Sequence, residues 1–179
     1  MSKKRKIDFI LKDNEFEKII FRFYPRQSTC HSFGDEPPKS LNEVYKVYYY
    51  YRILRFWKED DGTIDRDYDV LFNSGCDECS IIDEVAARLK YLSEGKKEVE
   101  VNHRDTTYTV KLLNTDIYTI ADCVWWKIIE GHHDNYKFEL FRNFDDVGYR
   151  FWLLKEQAYK FGEYLNYCCD YMLEHGNPI

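Results

Sequence analysis

The sequence predicts an α+β fold: antiparallel sheets with helices packed on one face, arranged as two hairpin–helix units. Three observations point there. Residues 80–95 and 155–176 carry apolar side chains at helical spacing between start and stop signals. Most of the remaining chain is short runs rich in Val, Ile, Tyr, Phe and Trp, which favour strands. Polar turns separate these runs, and a helix follows each series, at about 47–94 and 123–175. The 179 residues suffice for a single α+β domain over 1–179, with two subdomains, 1–95 and 96–179, as the alternative.

The stretch KIDFILKDNEFEKIIFRFYP reads as two strands around a polar turn at Asp13 and Asn14. Residues 26–40 read as a loop, polar throughout, with Gly34 and a Pro37–Pro38 pair. The next run, LNEVYKVYYYYRILRFW, fits two patterns. Ser40 and Glu43 suit a capping box, and Leu41, Val44, Tyr48, Tyr51 and Leu54 fit a helical stripe. Its density of β-branched and aromatic residues argues for a strand, so a short helical entry and then a strand over about 47–57 are expected. A hairpin then turns at Asp61–Gly62 into the strand TIDRDYDVLF.

SIIDEVAARLKYLSEG is a helix, capped by Ser80 with Asp83 completing a capping box. Ile81, Ile82, Val85, Leu89 and Leu92 form its buried stripe and Gly95 stops it. A hairpin follows, EVEVNH and TYTVKLL around Arg104–Asp105. DCVWWKIIE, YKFELF and GYRFWLL read as successive strands, with turns at Gly131–Asn135 and Asp145–Gly148. The last helix buries Ala158, Phe161, Leu165, Cys168 and Met172 and ends at Gly176 and Pro178. Cys168 and Cys169 lie 100° apart on it, so at most one should face the core.

Composition narrows the function. A net charge of −6 disfavours direct nucleic-acid binding, which needs clustered Lys and Arg. The basic run Lys3, Lys4, Arg5 and Lys6 reads first as a solvated tail and second as a phosphate-contacting arm. No apolar run reaches the ~18 residues of a membrane span, and no apolar stretch follows the basic start as in a secretory signal. The six cysteines are therefore expected as thiols in a cytoplasmic protein.

Cys76 and Cys79 form a C-x-x-C beside the start of the first helix, where amides and dipole favour thiolate. Asp77 and Glu78 between them oppose it. A metal site would need two more ligands, from Cys30–His31 or His132–His133, and neither pair has zinc-finger spacing. Plain thiols and a solvated His132–His133–Asp134 turn are the expectation, without metal or cofactor. Walker A, dinucleotide-binding, nucleophile-elbow, zincin and kinase motifs are all missing from the sequence, which argues for no particular reaction.

The strand after the hairpin is unusual. Asp65, Asp67 and Asp69 occupy alternate positions, although Asp is a poor strand former and like charges on one face repel. Same-face residues stand about 6.7 Å apart, and phosphates on one DNA strand lie about 3.4 Å apart. Glu59, Asp60 and Asp61 extend the row into the turn, and Asp77 and Glu78 are expected near its far end. Charge that protects an edge strand from aggregation is one reading, and mimicry of nucleic acid before a basic partner is the other.

The segment DNYKFELFRNFDDVGYRFWLLKEQAYKFGEYLNYCCDYMLEHGNPI resembles the endings of small proteins of phages and mobile elements of Gram-positive gut bacteria, from which anti-CRISPR proteins are drawn. The resemblance covers the last quarter: two strands, Gly148, then an amphipathic helix. It carries no motif residue across. It implies a non-enzymatic inhibitor docking on the basic channel of an RNA-guided nuclease; the acidic row itself, not the resemblance, offers Glu59, Asp60, Asp61, Asp65, Asp67 and Asp69 as the partner-binding residues. The alternatives are an immunity protein neutralising a toxin nuclease, or a metal-binding or redox protein using Cys76 and Cys79.

Overall fold

A computed structural model of the chain describes residues 7–29, 47–73, 77–103, 106–118, 124–133, 135–142 and 147–175. The first sheet is a meander of β1 (Ile7–Asp13), β2 (Glu17–Thr29), β3 (Val47–Lys58) and β4 (Ile64–Asn73) in that spatial order, all antiparallel. A two-residue strand, β5 (Asp77–Glu78), continues the β4 edge along β3, pairing Tyr49 with Asp77 and Tyr48 with Glu78. Helix α1 (Cys79–Ser93) follows. A two-stranded ribbon, β6 (Glu98–His103) and β7 (Thr106–Lys111), leads to the second sheet. That sheet consists of β8 (Asp116–Tyr118), β9 (Val124–Glu130), β10 (Asn135–Arg142) and β11 (Val147–Leu154), ordered β11-β10-β9-β8. Helix α2 (Lys155–His175) closes the described chain.

The expected α+β class with antiparallel sheets is what forms. Local chemistry explains the elements. The β1–β2 turn is held by Asn14, whose side-chain oxygen accepts the amides of Phe16 and Glu17 at 2.9 and 3.0 Å. The ambiguous run over 47–57 is strand, because Tyr51 and Ile53 fit a pleated face already walled by Phe21 and Phe23. α1 ends with the amide of Lys96 on the carbonyl of Tyr91 and that of Gly95 on Leu92, both 3.0 Å, a Schellman arrangement that satisfies orphan carbonyls.

One contiguous core joins both halves of the chain. The first sheet contributes Phe21, Phe23, Tyr51, Ile53 and Phe72, the second Trp126, Ile128, Phe138, Leu140, Phe151 and Leu153. Ile82, Val85, Ala86 and Leu89 of α1, with Ala158, Phe161 and Leu165 of α2, fill the space between them. Phe161 packs edge-on against Phe21, Phe138 and Phe151, with ring centroids 5.3, 5.8 and 5.8 Å away. Aromatic pairs in this geometry add to the burial of ring area.

Four details depart from the sequence reading. β2 continues through Pro25 to Thr29 rather than giving way to a loop at residue 26. Its pairing skips from Tyr24 to Ser28, and a proline, having no N–H, is tolerated in such a gap. α1 starts at Cys79, one residue before the expected cap, and Asp83 turns to α2, where the Cys169 thiol donates to its carboxylate. Cys168 and Cys169 are both buried, because α2 meets the strands with one side and α1 with the next, so its covered arc exceeds 100°. β5 and β8 are too short to register as apolar runs. The Lys3–Lys6 run, Cys30–His31, the Ser40 cap, Arg104–Asp105, Asp134, Gly176 and Pro178 lie outside the described residues, as does the Met172 side chain.

Candidate functional site: the acidic β3–β4 hairpin

All six acidic candidates fall on one hairpin at one end of the first sheet. Residues 59–69 hold Glu59, Asp60, Asp61, Asp65, Asp67 and Asp69 against Arg66 alone, so six negative charges and one positive leave −5. The turn closes with the amide of Gly62 on the Glu59 carbonyl at 2.8 Å and that of Glu59 on the Thr63 carbonyl at 2.9 Å. Gly62 has φ +81°, where a side chain would be strained.

The regular carboxylate row does not form. Phe56 pairs with Tyr68 and Lys58 with Ile64, so Trp57 alone faces three residues, Asp65, Arg66 and Asp67. This bulge breaks the even 6.7 Å spacing. A second irregularity, with Leu71 as the extra residue, lies between the pairs Leu54–Val70 and Ile53–Phe72. Bulges of this kind twist an edge strand and stop a further strand from pairing to it.

The carboxylates also divide by what they do. Asp61 accepts the amide of Thr63 at 2.8 Å and its hydroxyl at 2.6 Å, and these bonds hold its pKa below the ordinary value. Asp65 accepts the amide of Asp67 at 3.1 Å. Asp69 accepts Nε and Nη2 of Arg55 at 3.1 and 3.0 Å, and the indole N–H of Trp57 at 3.1 Å. The Arg55 guanidinium in turn lies 4.5 Å from the centre of the Trp57 ring. Tyr149 of β11 faces this corner. Burial, then the Glu17 carboxylate, push its phenol above the ordinary value while Arg55 opposes them.

Glu59, Asp60 and Asp67 remain. All three are exposed, and none makes an ion pair or side-chain hydrogen bond among the described residues. Beside them the chain exposes Trp57, Ile64 and Phe16. The β1–β2 and β3–β4 turns share this end of the sheet, since the amide of Lys58 donates to the Phe16 carbonyl at 3.0 Å. The site is thus a negatively charged tip with large apolar side chains around it. Asp77 and Glu78 continue the same edge as β5, at its far end, as expected.

Of the metal candidates only His132 and His133 have described side chains. His132 and His133 are exposed in the β9–β10 turn, where His133 has φ +54°. Cys76 and the Cys79 side chain lie outside the described residues. Among the described residues no three His, Cys, Asp or Glu side chains gather as a metal site would need, and no described helix is long and apolar enough to cross a membrane. Compared with protein-family models, curated proteins and solved structures, the chain matches none.

Proposed function

We propose that this protein is a non-enzymatic inhibitor that docks its acidic β3–β4 tip on a basic, nucleic-acid-binding surface of a bacterial nuclease, in the first instance an RNA-guided one. One observation carries the reading. Glu59, Asp60 and Asp67 are exposed carboxylates without an ion-pair partner among the described residues, in a stretch of net charge −5, with Trp57 and Ile64 exposed beside them. Interfaces of this type combine charge that steers encounter with apolar anchors that hold the complex. The bulge opposite Trp57 argues for charge complementarity rather than a phosphate-by-phosphate copy of nucleic acid. A toxin nuclease, which an immunity protein would neutralise, presents the same kind of basic surface.

The experiment is a pull-down with tagged protein from lysates expressing RNA-guided and toxin nucleases, washed at low and high salt. The expected result is a nuclease retained at low salt, released at high salt, and lost with the triple variant E59Q/D60N/D67N. A nuclease retained equally by that variant would remove the acidic tip from the interface. No nuclease at either salt would remove the inhibitor reading.

A further inference from the structure

Trp57 lies on the same face of β3 as Tyr51, Ile53 and Arg55, at the tip, where that face has left the core. Two groups of the chain fix its orientation. The indole N–H donates to Asp69 at 3.1 Å, and the Arg55 guanidinium lies over the ring, 4.5 Å from its centre. Asp69 also accepts Nε and Nη2 of Arg55, at 3.1 and 3.0 Å. The chain has thus built one complete seat for a guanidinium, with a carboxylate for its N–H groups and an indole beneath it. The charges of Arg55 and Asp69 cancel within that seat. An asparagine at 69 would still offer an oxygen to the indole N–H.

Enough of Trp57 is left for a second cation. With Arg55 already over the ring, 47% of the residue is still exposed. Across from it the β4 bulge sets Asp65, Arg66 and Asp67 against this single residue. The Asp67 carboxylate is exposed and makes no ion pair among the described residues, and the same holds for Glu59 and Asp60. Arg66 is exposed and lies over no ring among the described residues. An open indole surface and an uncommitted carboxylate therefore face each other across one strand pair. Around them residues 59–69 carry a charge of −5, which draws a cation and repels an anion.

We propose that Trp57 seats an arginine of the partner, so that the tip accepts a surface rich in arginine over one equally charged with lysine. The inference rests on the docking reading above and supplies its chemistry. An arginine in a nucleic-acid site has its N–H fork filled by phosphate and its flat face free to stack on a base. The tip offers a counterpart to each, Asp67 for the fork and the indole for the face. A guanidinium suits this pair because it is planar and weakly hydrated, whereas an ammonium is a compact, strongly hydrated point charge. Tryptophan is also the aromatic ring over which a cation gains most. The carboxylates then govern how fast a basic surface arrives, and Trp57 governs which kind stays.

The test needs no nuclease. Fluorescein-labelled oligoarginine and oligolysine of equal length are titrated with the full chain at low salt and followed by anisotropy. Both should bind, the arginine peptide about threefold more tightly. W57L should bring the two affinities together, and W57F, which keeps a ring, should retain part of the difference, both with unchanged circular dichroism. E59Q/D60N/D67N should weaken both peptides. Equal affinities in the wild type, or an arginine preference undiminished in W57L, would overturn the proposal and leave the acidic tip as the docking site. Binding untouched by E59Q/D60N/D67N, or no binding by either peptide, would count against the acidic tip itself, and the arginine seat would fall with it.

Discussion

The indole N–H of Trp57 and the carboxylate of Asp69 are joined by a hydrogen bond of 3.1 Å, which engages that half-exposed carboxylate with its own sheet. Asp69 thus differs from Asp67, two residues earlier, whose carboxylate has no such partner among the described residues. D69N should lower stability, by less than about 1 kcal/mol because the ion pair with Arg55 is exposed, and leave nuclease retention unchanged. E59Q/D60N/D67N should leave the melting temperature unchanged and slow association by about tenfold at low salt. Thermal melts and association rates on the two variants check this, and the reverse assignment would show that Asp69 is the docking group.

Phe161 is the ring on which both sheets converge, so truncating it opens a cavity between them. F161A should cost about 3–5 kcal/mol, a large part of the 5–15 kcal/mol typical of a domain. Its neighbour Gly162 sits where a Cβ would lie 3.1 Å from Cβ of Leu89 and 3.4 Å from the Ala86 carbonyl. G162V should therefore cost about 1–3 kcal/mol by forcing α1 and α2 apart. Urea unfolding of both variants measures these values, and a G162V as stable as wild type would mean that the helices separate freely.

The thiols should divide by burial. Burial pushes Cys168 up to about 12, and Cys169 is buried beside it. At pH 8 neither should react, so at most four of the six cysteines should titrate with a thiol reagent in the native state and all six in denaturant. More than four fast thiols in the native protein would place α2 elsewhere.

Asp83 titrates in the opposite sense to a salt-bridged carboxylate. Burial and the nearby Asp170 raise its pKa above 3.8 despite the hydrogen bond from Cys169. The folded state therefore binds the Asp83 proton more tightly than the unfolded chain, and stability from this group falls as pH rises through 3.8 to the raised value. D83N should stabilise the protein at pH 7 and lose that advantage at pH 3. Melting curves of both proteins at the two pH values decide it; an equal difference at both would exclude a titration effect.

Much of the architecture was legible because it rests on local rules. α1 and α2 followed from apolar spacing, the β1–β2 turn from Asn14, and the β3–β4 hairpin from Gly62. Elements that depend on partners far along the chain were not legible. Asp116–Tyr118 becomes a strand only because Trp125, Trp126 and Lys127 lie alongside. The alternation of Asp65, Asp67 and Asp69 located the acidic hairpin correctly but implied an even row. The bulge opposite Trp57 depends on β3 and leaves no mark in the β4 residues. The burial of both Cys168 and Cys169 likewise needed two neighbours on different sides of one helix.

The hydroxyl of Tyr164 donates to the carbonyl of Ile7 at 3.0 Å, across 157 positions of sequence. Strand β1 is thus tied to helix α2, which is made more than a hundred residues later. During synthesis the first sheet must wait, with Phe9 and Phe21 uncovered, until residues 155–175 emerge. Contacts so distant in sequence slow folding and lengthen exposure to aggregation. A chain stalled before α2 should then be a substrate for chaperones and proteases rather than a stable half-built fold.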